Sequence, residues 1–303
     1  MENVLDRLIE SDSHNIEESK RALAAFDPRM LDAVEKFSRL MENVGQAFGD
    51  SGGYDQHNLQ LNNWLESQPG GAKETVRFLE QATLIGQAKG PDAVSKARTA
   101  LHKANSVIAR TYLVLRLRRD FLFGVSDLLK LRLIAALGYL RIQSESAAIL
   151  AILGEEPAMS LEWLDPNSGQ KFYKKHQGRI VSKMRDLHLH EHYEQGSAMA
   201  LHSRVLGVTP GMLVGAKDAS EGSIELTYQE IDAPLDLFLW FYIFLKAHGQ
   251  VIGGVAEGLP EIDLKELGAA EYMGMIAELG AKLRPLYVKT RNSDLANILQ
   301  SGA

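Results

Sequence analysis

The chain has 303 residues, of which 45% are hydrophobic and 24% charged, so we expect a globular protein with a packed core. Its formal net charge of −6 disfavours a surface that is basic throughout, although a local basic patch can still bind nucleic acid. It contains no cysteine, which excludes disulfides, thiol chemistry and zinc bound by cysteine.

Two segments bear on localisation. The N-terminus is acidic and amphipathic, unlike a secretory signal. Residues 237–245 form the most apolar run, which is far shorter than the roughly 20 residues that cross a bilayer. We therefore expect a buried helix there, a cytoplasmic protein and no membrane association.

The first half of the chain carries helical signals throughout. Asp27 and Pro28 form an N-cap followed by proline at the first helical position, which predicts a helix to about residue 47. Two more helices are predicted over 54–66 and 72–89, and Gly90-Pro91-Asp92 predicts a long helix toward residue 119. The sequence is most easily divided into two helical regions near residues 119–126. We therefore expect an N-terminal helical region over 1–122 and a C-terminal bundle over 123–303.

The second half adds one departure from helix. Ser126 and Asp127 are a plausible cap for a helix over 128–152, and further helices are predicted from residue 171 to about 192 or 206, over 234–248 and over 263–286. Residues 223–231 alternate apolar and polar side chains, as a half-buried strand does, with 211–215 as the partner. The predicted fold is an all-α, multi-helix bundle with one small β-hairpin near 211–231.

Four of the nine histidines fall between residues 188 and 202. If residues 180–206 form one helix, at about 100° per residue, an apolar stripe turns polar at Glu191, with histidines beside it. The helix over 128–152 has a similar interruption, where two opposite charges stand at i,i+4 and can pair. Buried charges persist mainly when paired, so we predict one polar seam formed by Arg141, Glu145, His188, Glu191 and His202.

The histidine segment has three interpretations. It is a satisfied polar seam, a proton-transfer or RNA-cleaving site, or a metal site of His188, Glu191 or His192, and His202. The zinc pattern His-Glu-x-x-His is absent, and no second carboxylate–histidine pair stands on another helix, so we predict no metal site.

A basic cluster near residue 116 also has two interpretations. It is either the solvated edge of a helix end or a phosphate-contacting patch. In the second case the phosphate-binding residues are Arg116, Arg118 and Arg119.

The histidine segment contains a short motif, Arg185-Asp186-x-x-x-His190, which resembles the Arg-polar-x-x-x-His signature of HEPN domains. These domains are helical bundles, often dimeric, and many act as metal-independent ribonucleases in bacterial defence or stress systems. The resemblance implies that His190 is the catalytic histidine, Arg185 its cationic partner and Asp186 the polar residue beside the arginine. It also implies RNA as substrate and a homo-oligomer.

The layout from about residue 126 to 259 also resembles an uncharacterised bacterial helical family. Its members have a helix bearing Arg and Glu, then a Tyr-x-x-x-Ser-x-x-x-His helix, a short hairpin and another helix. Arg141 and Glu145 match the first part. Tyr193, Ser197 and His202 match the second, with one residue too many before the histidine.

These observations lead to one main hypothesis and two alternatives. The main hypothesis is a bacterial, HEPN-like protein that acts on RNA or through a partner protein in a stress or defence system. If it is an enzyme, it is a metal-independent ribonuclease that needs no cofactor. The alternatives are a non-catalytic scaffold or regulatory interaction bundle, and a histidine/carboxylate metal-binding bundle.

Overall fold

The computed structural model describes residues 4–50, 91–164, 169–197, 214–215, 225–226 and 234–289. This part of the chain is predominantly helical, which confirms the all-α class. Its helices are α1 (Val4–Phe26), α2 (Arg29–Asp50), α3 (Pro91–Leu129), α4 (Leu133–Glu155), α5 (Ser160–Leu164), α6 (Gly169–Asp186), α7 (His190–Gly196), α8 (Pro234–Gly258) and α9 (Ala269–Lys289). A 3-10 turn, Pro157–Met159, joins α4 to α5.

Helix α4 is the centre of the fold. It packs against α3, α8, α6 and α7. Every residue from Ser146 to Leu153 is buried, so the C-terminal half of α4 is covered on all sides. A helix that is apolar all round needs such a position in the core. Its N-terminal half is less apolar and carries Arg141 and Glu145 toward α7.

Glycines allow α4 and α8 to approach closely. A Cβ on Gly254 would lie 2.9 Å from the Ala147 Cβ, and one on Gly258 would lie 2.5 Å from the Leu150 Cγ. In the other direction, a Cβ on Gly154 would lie 2.5 Å from the Glu257 carbonyl oxygen. These distances are shorter than van der Waals contact, so the helix pair needs glycine at these positions.

An aromatic cluster surrounds a histidine in the core. The ring of His248 contacts those of Phe37, Phe121 and Phe244 at centroid distances of 5.0, 4.6 and 4.4 Å. Its Nδ1 donates to the Phe244 carbonyl at 2.6 Å, and its Nε2 contacts the Gln143 side-chain amide. Because His248 is fully buried, desolvation lowers its pKa to about 3 and keeps the imidazole neutral.

The predicted start of α2 is confirmed, since the helix begins at Arg29. Asp27 accepts the backbone N–H of Arg29 at 3.1 Å, as an N-terminal cap does. The same buried carboxylate also accepts from the Arg29 guanidinium and from Lys282 of α9 at 3.0 Å. These bonds hold the pKa of Asp27 well below its usual range and join the start of α2 to α9.

Helix α3 differs from its prediction, because it continues to Leu129 through the predicted cap and through the predicted boundary at residue 122. Leu117, Phe121, Val125 and Leu128 are all buried, at spacings of four, four and three. This stripe packs α3 on the core beyond residue 126, and tertiary contact therefore overrides the local cap signal. The helix ends where Leu131 takes a left-handed φ of 60°.

Other predicted elements fall partly or wholly outside the described residues. The predicted helices over 54–66 and 72–89 lie wholly outside the described residues. Of the predicted hairpin, the described part is two dipeptide strands, β1 (Val214–Gly215) and β2 (Glu225–Leu226), which pair antiparallel. The rest of 211–231 is outside, so the hairpin stays a prediction. No helix in the described ranges is long and apolar enough to span a membrane.

Candidate functional site

The histidine segment does not form one continuous helix. Helix α6 ends at Asp186 and α7 begins at His190. Between them His188 has a left-handed φ of 56°, while Leu187 and Leu189 are both buried. Residues two apart point to different sides of a helix, so the chain must break for both leucines to face the core. The helix supposed over 180–206 is therefore interrupted at residues 187–189.

The break brings α7 against α4 around one arginine. The Arg141 Nε donates to the Ser197 hydroxyl at 2.9 Å, and its Nη2 donates to the Glu145 carboxylate at 3.2 Å and to the Tyr193 hydroxyl at 3.4 Å. The guanidinium carbon also lies 5.0 Å from the centroid of the Tyr193 ring. We call Arg141, Glu145, Tyr193 and Ser197 the Arg141 cluster.

The Arg141 cluster borders a cleft of about 630 Å³. The cleft has an apolar wall from α4 and α6, formed by Ile142, Ile180, Val181 and Met184. Its polar lining comes from α3, α4, α6 and α7 and consists of Arg116, Arg141, Glu145, Tyr173, Lys174, Gln177 and Tyr193. This combination of an apolar wall and a few convergent polar groups is typical of a small-molecule site.

Burial shapes the acid–base properties of the cleft. Desolvation raises the pKa of Glu145, while the neighbouring Arg141 and Tyr193 oppose that shift. Desolvation likewise raises the pKa of Tyr173, and the Glu145 carboxylate adds to the effect. The cleft therefore presents the neutral phenol of Tyr173 and a carboxyl group that takes up a proton more readily than an exposed one.

The ion pair inside the cleft gives a stability prediction. Arg141→Ala should lower the free energy of unfolding by about 1.5–3 kcal/mol, because Glu145, with 18% of its side chain exposed, loses a charged hydrogen bond. Arg185→Ala is the matched control. Its side chain is exposed, so the change should stay within about 0.5 kcal/mol. Denaturant unfolding of both variants measures the difference, and equal effects would contradict the pairing.

The other members of the predicted polar seam are placed elsewhere. His188 and Glu191 are both exposed, so they do not interrupt a buried stripe beside Arg141. Their predicted position is wrong because it relied on the continuous helix. His192 is instead the buried histidine of this segment; its Nε2 lies 2.9 Å from the Gln250 Oε1 on α8, and burial lowers its pKa. His202 lies outside the described residues.

The HEPN-like motif lies across the break. Arg185 and Asp186 are exposed in the last turn of α6. His190 opens α7 with 18% of its side chain exposed, and its Nδ1 lies 3.8 Å from Glu194. The His190 and Tyr193 rings have centroids 6.4 Å apart. Tyr193 lines the cleft, whereas His190 is not among the lining residues and is linked to it through this ring contact.

Arg116, Arg118 and Arg119 of α3 each have an ion-pair partner, and their role in binding phosphate stays a prediction. Arg116 and Arg119 both pair with the buried Asp120, at 3.4 and 2.7 Å, and Arg118 pairs with Glu42 at 3.0 Å. Only Arg116 among these three lines the cleft. The spacing of charges along α3 could not reveal these partners, since Arg116 and Arg119 share Asp120 whereas Arg118 pairs with Glu42 of α2.

The described part of the chain contains no group of side chains placed to bind a metal ion. No three His, Asp or Glu residues there lie close enough together to hold an ion. Of the residues named in the metal interpretation, His188 and Glu191 are exposed, whereas His192 is buried against Gln250.

Sequence reasoning missed the contribution of α6 to the cleft. Tyr173, Gln177, Ile180 and Met184 follow one another at spacings of four, three and four, so they share one helix face. That periodicity was the available signal. Its meaning depended on knowing that this face of α6 lies opposite Glu145 of α4.

Comparisons with models of protein families, with curated proteins and with solved structures each found no match to this chain.

Proposed function

We propose that this protein cleaves RNA without a metal ion, as a HEPN-like component of a bacterial stress or defence system. The observation that carries the proposal is the position of His190. It is the partly accessible histidine of the motif, and it lies beside a cleft that contains two arginines and two tyrosines.

Accessibility of the motif supports this proposal. Arg185 is exposed at the end of α6, and the buried Leu187 and Leu189 fix the turn that follows it. The turn separates the arginine from His190 without burying either side chain completely. Neither side chain is sealed in the core, so the proposal has one RNA strand contact both groups along the α6–α7 break, with the cations of the cleft attracting its phosphates.

The chemistry uses groups that the motif supplies. His190 accepts the proton of a ribose 2′-hydroxyl, and the 2′ oxygen forms a bond to the neighbouring phosphorus. The bond from phosphorus to the 5′ oxygen of the next nucleotide breaks, and the proton on His190 passes to that leaving oxygen. The products are a 2′,3′-cyclic phosphate and a 5′-hydroxyl. Arg185 stabilises the negative charge that builds on the phosphorus oxygens.

The test is an RNA cleavage assay on the purified full chain. Mixed single-stranded RNA is incubated with the protein, with and without a chelator, and the product ends are analysed. We expect cleavage in both conditions and cyclic phosphate ends. Cleavage that the chelator abolishes would instead support the metal alternative, and the absence of cleavage on any RNA would contradict the proposal.

A second candidate, a non-catalytic interaction bundle, is supported by one feature of α3. Its exposed large hydrophobic side chains are Tyr112, Leu115, Leu122 and Phe123, with exposures of 39–54%. Apolar side chains grouped on one surface are typical of a protein-binding face. Sedimentation of the protein and of Phe123→Ser tests self-association: a dimer that the variant loses, together with no RNA cleavage, favours this candidate.

A further inference from the structure

We infer that the cleft between α4 and α6 is a binding site for one nucleotide, with the phosphate on Arg116 and Lys174 and the base against Tyr193. The inference deepens the proposed function and rests on it, since it assigns to the cleft a nucleotide unit of the RNA that His190 cleaves. The same chemistry would recognise a free mononucleotide.

The charge of the lining favours an anion. Three cations, Arg116, Arg141 and Lys174, face the cleft with one carboxylate, Glu145. Arg141 is already engaged by Glu145. The Arg116 Nε lies 3.4 Å from the Asp120 carboxylate, and the Tyr173 hydroxyl to which Arg116 also bonds carries no charge, so Arg116 keeps a positive charge toward the cleft. Lys174 is exposed. These two cations are therefore the ones available to a phosphate group.

The shape and the aromatic lining favour a flat base attached to that phosphate. The volume of about 630 Å³ lies within the roughly 300–1,000 Å³ that small-molecule sites occupy. Ile142, Ile180 and Met184 provide an apolar wall. Tyr193 is held in place by α4, since Arg141 lies over its ring and bonds its hydroxyl. A fixed aromatic ring of this kind is the usual stacking platform for a base.

Substitution of Glu145 is expected to change nucleotide affinity in an unusual direction. Its carboxylate is the single negative group among the described residues that line the cleft, and it opposes a second anion there. Replacing it with glutamine removes the charge and keeps the shape and hydrogen-bonding capacity of the side chain. Glu145→Gln should therefore tighten nucleotide binding, whereas loss of most polar groups in a binding site weakens it.

The experiment measures binding of adenosine, guanosine, cytidine and uridine monophosphates to the full chain by calorimetry. We expect a mononucleotide to bind, and inorganic phosphate or the matching nucleoside alone to bind at least 10-fold more weakly. Lys174→Ala should weaken binding by about 10-fold, as loss of a charged hydrogen bond does. Tyr193→Leu should weaken it about 5-fold or more, while Tyr193→Phe keeps the ring and most of the affinity.

A matched control variant distinguishes a specific effect of Lys174 from the loss of any exposed cation on the same helix. Lys171→Ala removes an exposed cation from the same helix but outside the cleft, and it should leave binding unchanged. If no mononucleotide binds at millimolar concentration, or if Lys174→Ala and Lys171→Ala behave alike, the inference is wrong. Lys174 is exposed, so this comparison does not depend on a variant that risks misfolding.

Failure of the inference and failure of the proposed function give different results. Binding without RNA cleavage in the wild-type chain would overturn the ribonuclease proposal and retain the nucleotide site. Cleavage with no effect of Lys174→Ala on KM would retain the ribonuclease and overturn the site. A short oligonucleotide that binds more tightly than any mononucleotide identifies RNA as the source of the ligand.

Discussion

His190→Ala should lower the rate of RNA cleavage by a factor of about 100 to 10,000, the usual contribution of a general acid–base group. In the proposed mechanism the same residue accepts and returns the proton, so its loss removes both transfers. Arg185→Ala should lower the rate by about 100 to 1,000, because a positioned cation is lost where charge builds on phosphate. Both side chains are partly or fully exposed, so thermal unfolding should be unchanged. Initial rates on one RNA, under single-turnover conditions, measure these losses.

The controls for this result are other histidines of the chain. His14→Ala removes an exposed histidine from α1, far from the motif in sequence, and should leave the rate unchanged. His188→Asn changes the neighbour at the break and keeps a residue type that tolerates its left-handed φ. A metal site would make the His188 variant more damaging than the His190 variant. That order of effects would refute the assignment of His190 as the catalytic histidine.

Gly258→Ala should lower the free energy of unfolding by about 1–3 kcal/mol, the usual cost of overpacking a core. The new Cβ would lie 2.5 Å from the Leu150 Cγ and 2.7 Å from the Leu150 carbonyl oxygen. A side chain can rotate away from such a clash, but a backbone carbonyl within α4 cannot. The helices α4 and α8 would have to move apart, which exposes the core that they share. Denaturant unfolding at an unchanged m value measures the loss.

Gly178→Ala is the matched control for this prediction. Gly178 is exposed within α6, and a Cβ there would meet nothing within 4 Å. Alanine should therefore stabilise the protein by about 0.5–1 kcal/mol, since it restricts the unfolded chain and favours the helix. Opposite signs for the two substitutions are expected. A stabilising Gly258→Ala would mean that the α4–α8 contact is looser than these distances.

Local sequence signals predicted where helices start more reliably than they predicted the contacts between helices. Proline at the first helical position marked the starts of α3 and α8, at Pro91 and Pro234, and Asp27 with Pro28 marked α2. These signals act within one turn, so the sequence contains them in full. The end of α3 depends on Phe121 and Val125 packing against other helices, and a cap-like pair at Ser126 and Asp127 was misleading for that reason.

The candidate site was predictable in part. The i,i+4 spacing of Arg141 and Glu145 predicted their ion pair, which the structure confirms. The break at residues 187–189 was not predictable from helical periodicity, because apolar residues recur on both sides of it. It arises from the burial of two leucines against neighbours distant in sequence, and it moves Glu191 to the surface. Tyr193 therefore faces α4, and the cleft depends on this register.

The neutral imidazole of His248 makes unfolding a proton-consuming reaction in acid. In the folded chain its pKa is lowered to about 3, whereas in the unfolded chain it returns to about 6.5. Between these values the unfolded state binds a proton that the folded state excludes. Stability therefore decreases as the pH falls from about 6.5 toward 3, by up to about 1.4 kcal/mol per pH unit from this one group. A ring packed among three phenylalanines would thus favour unfolding in an acidified compartment.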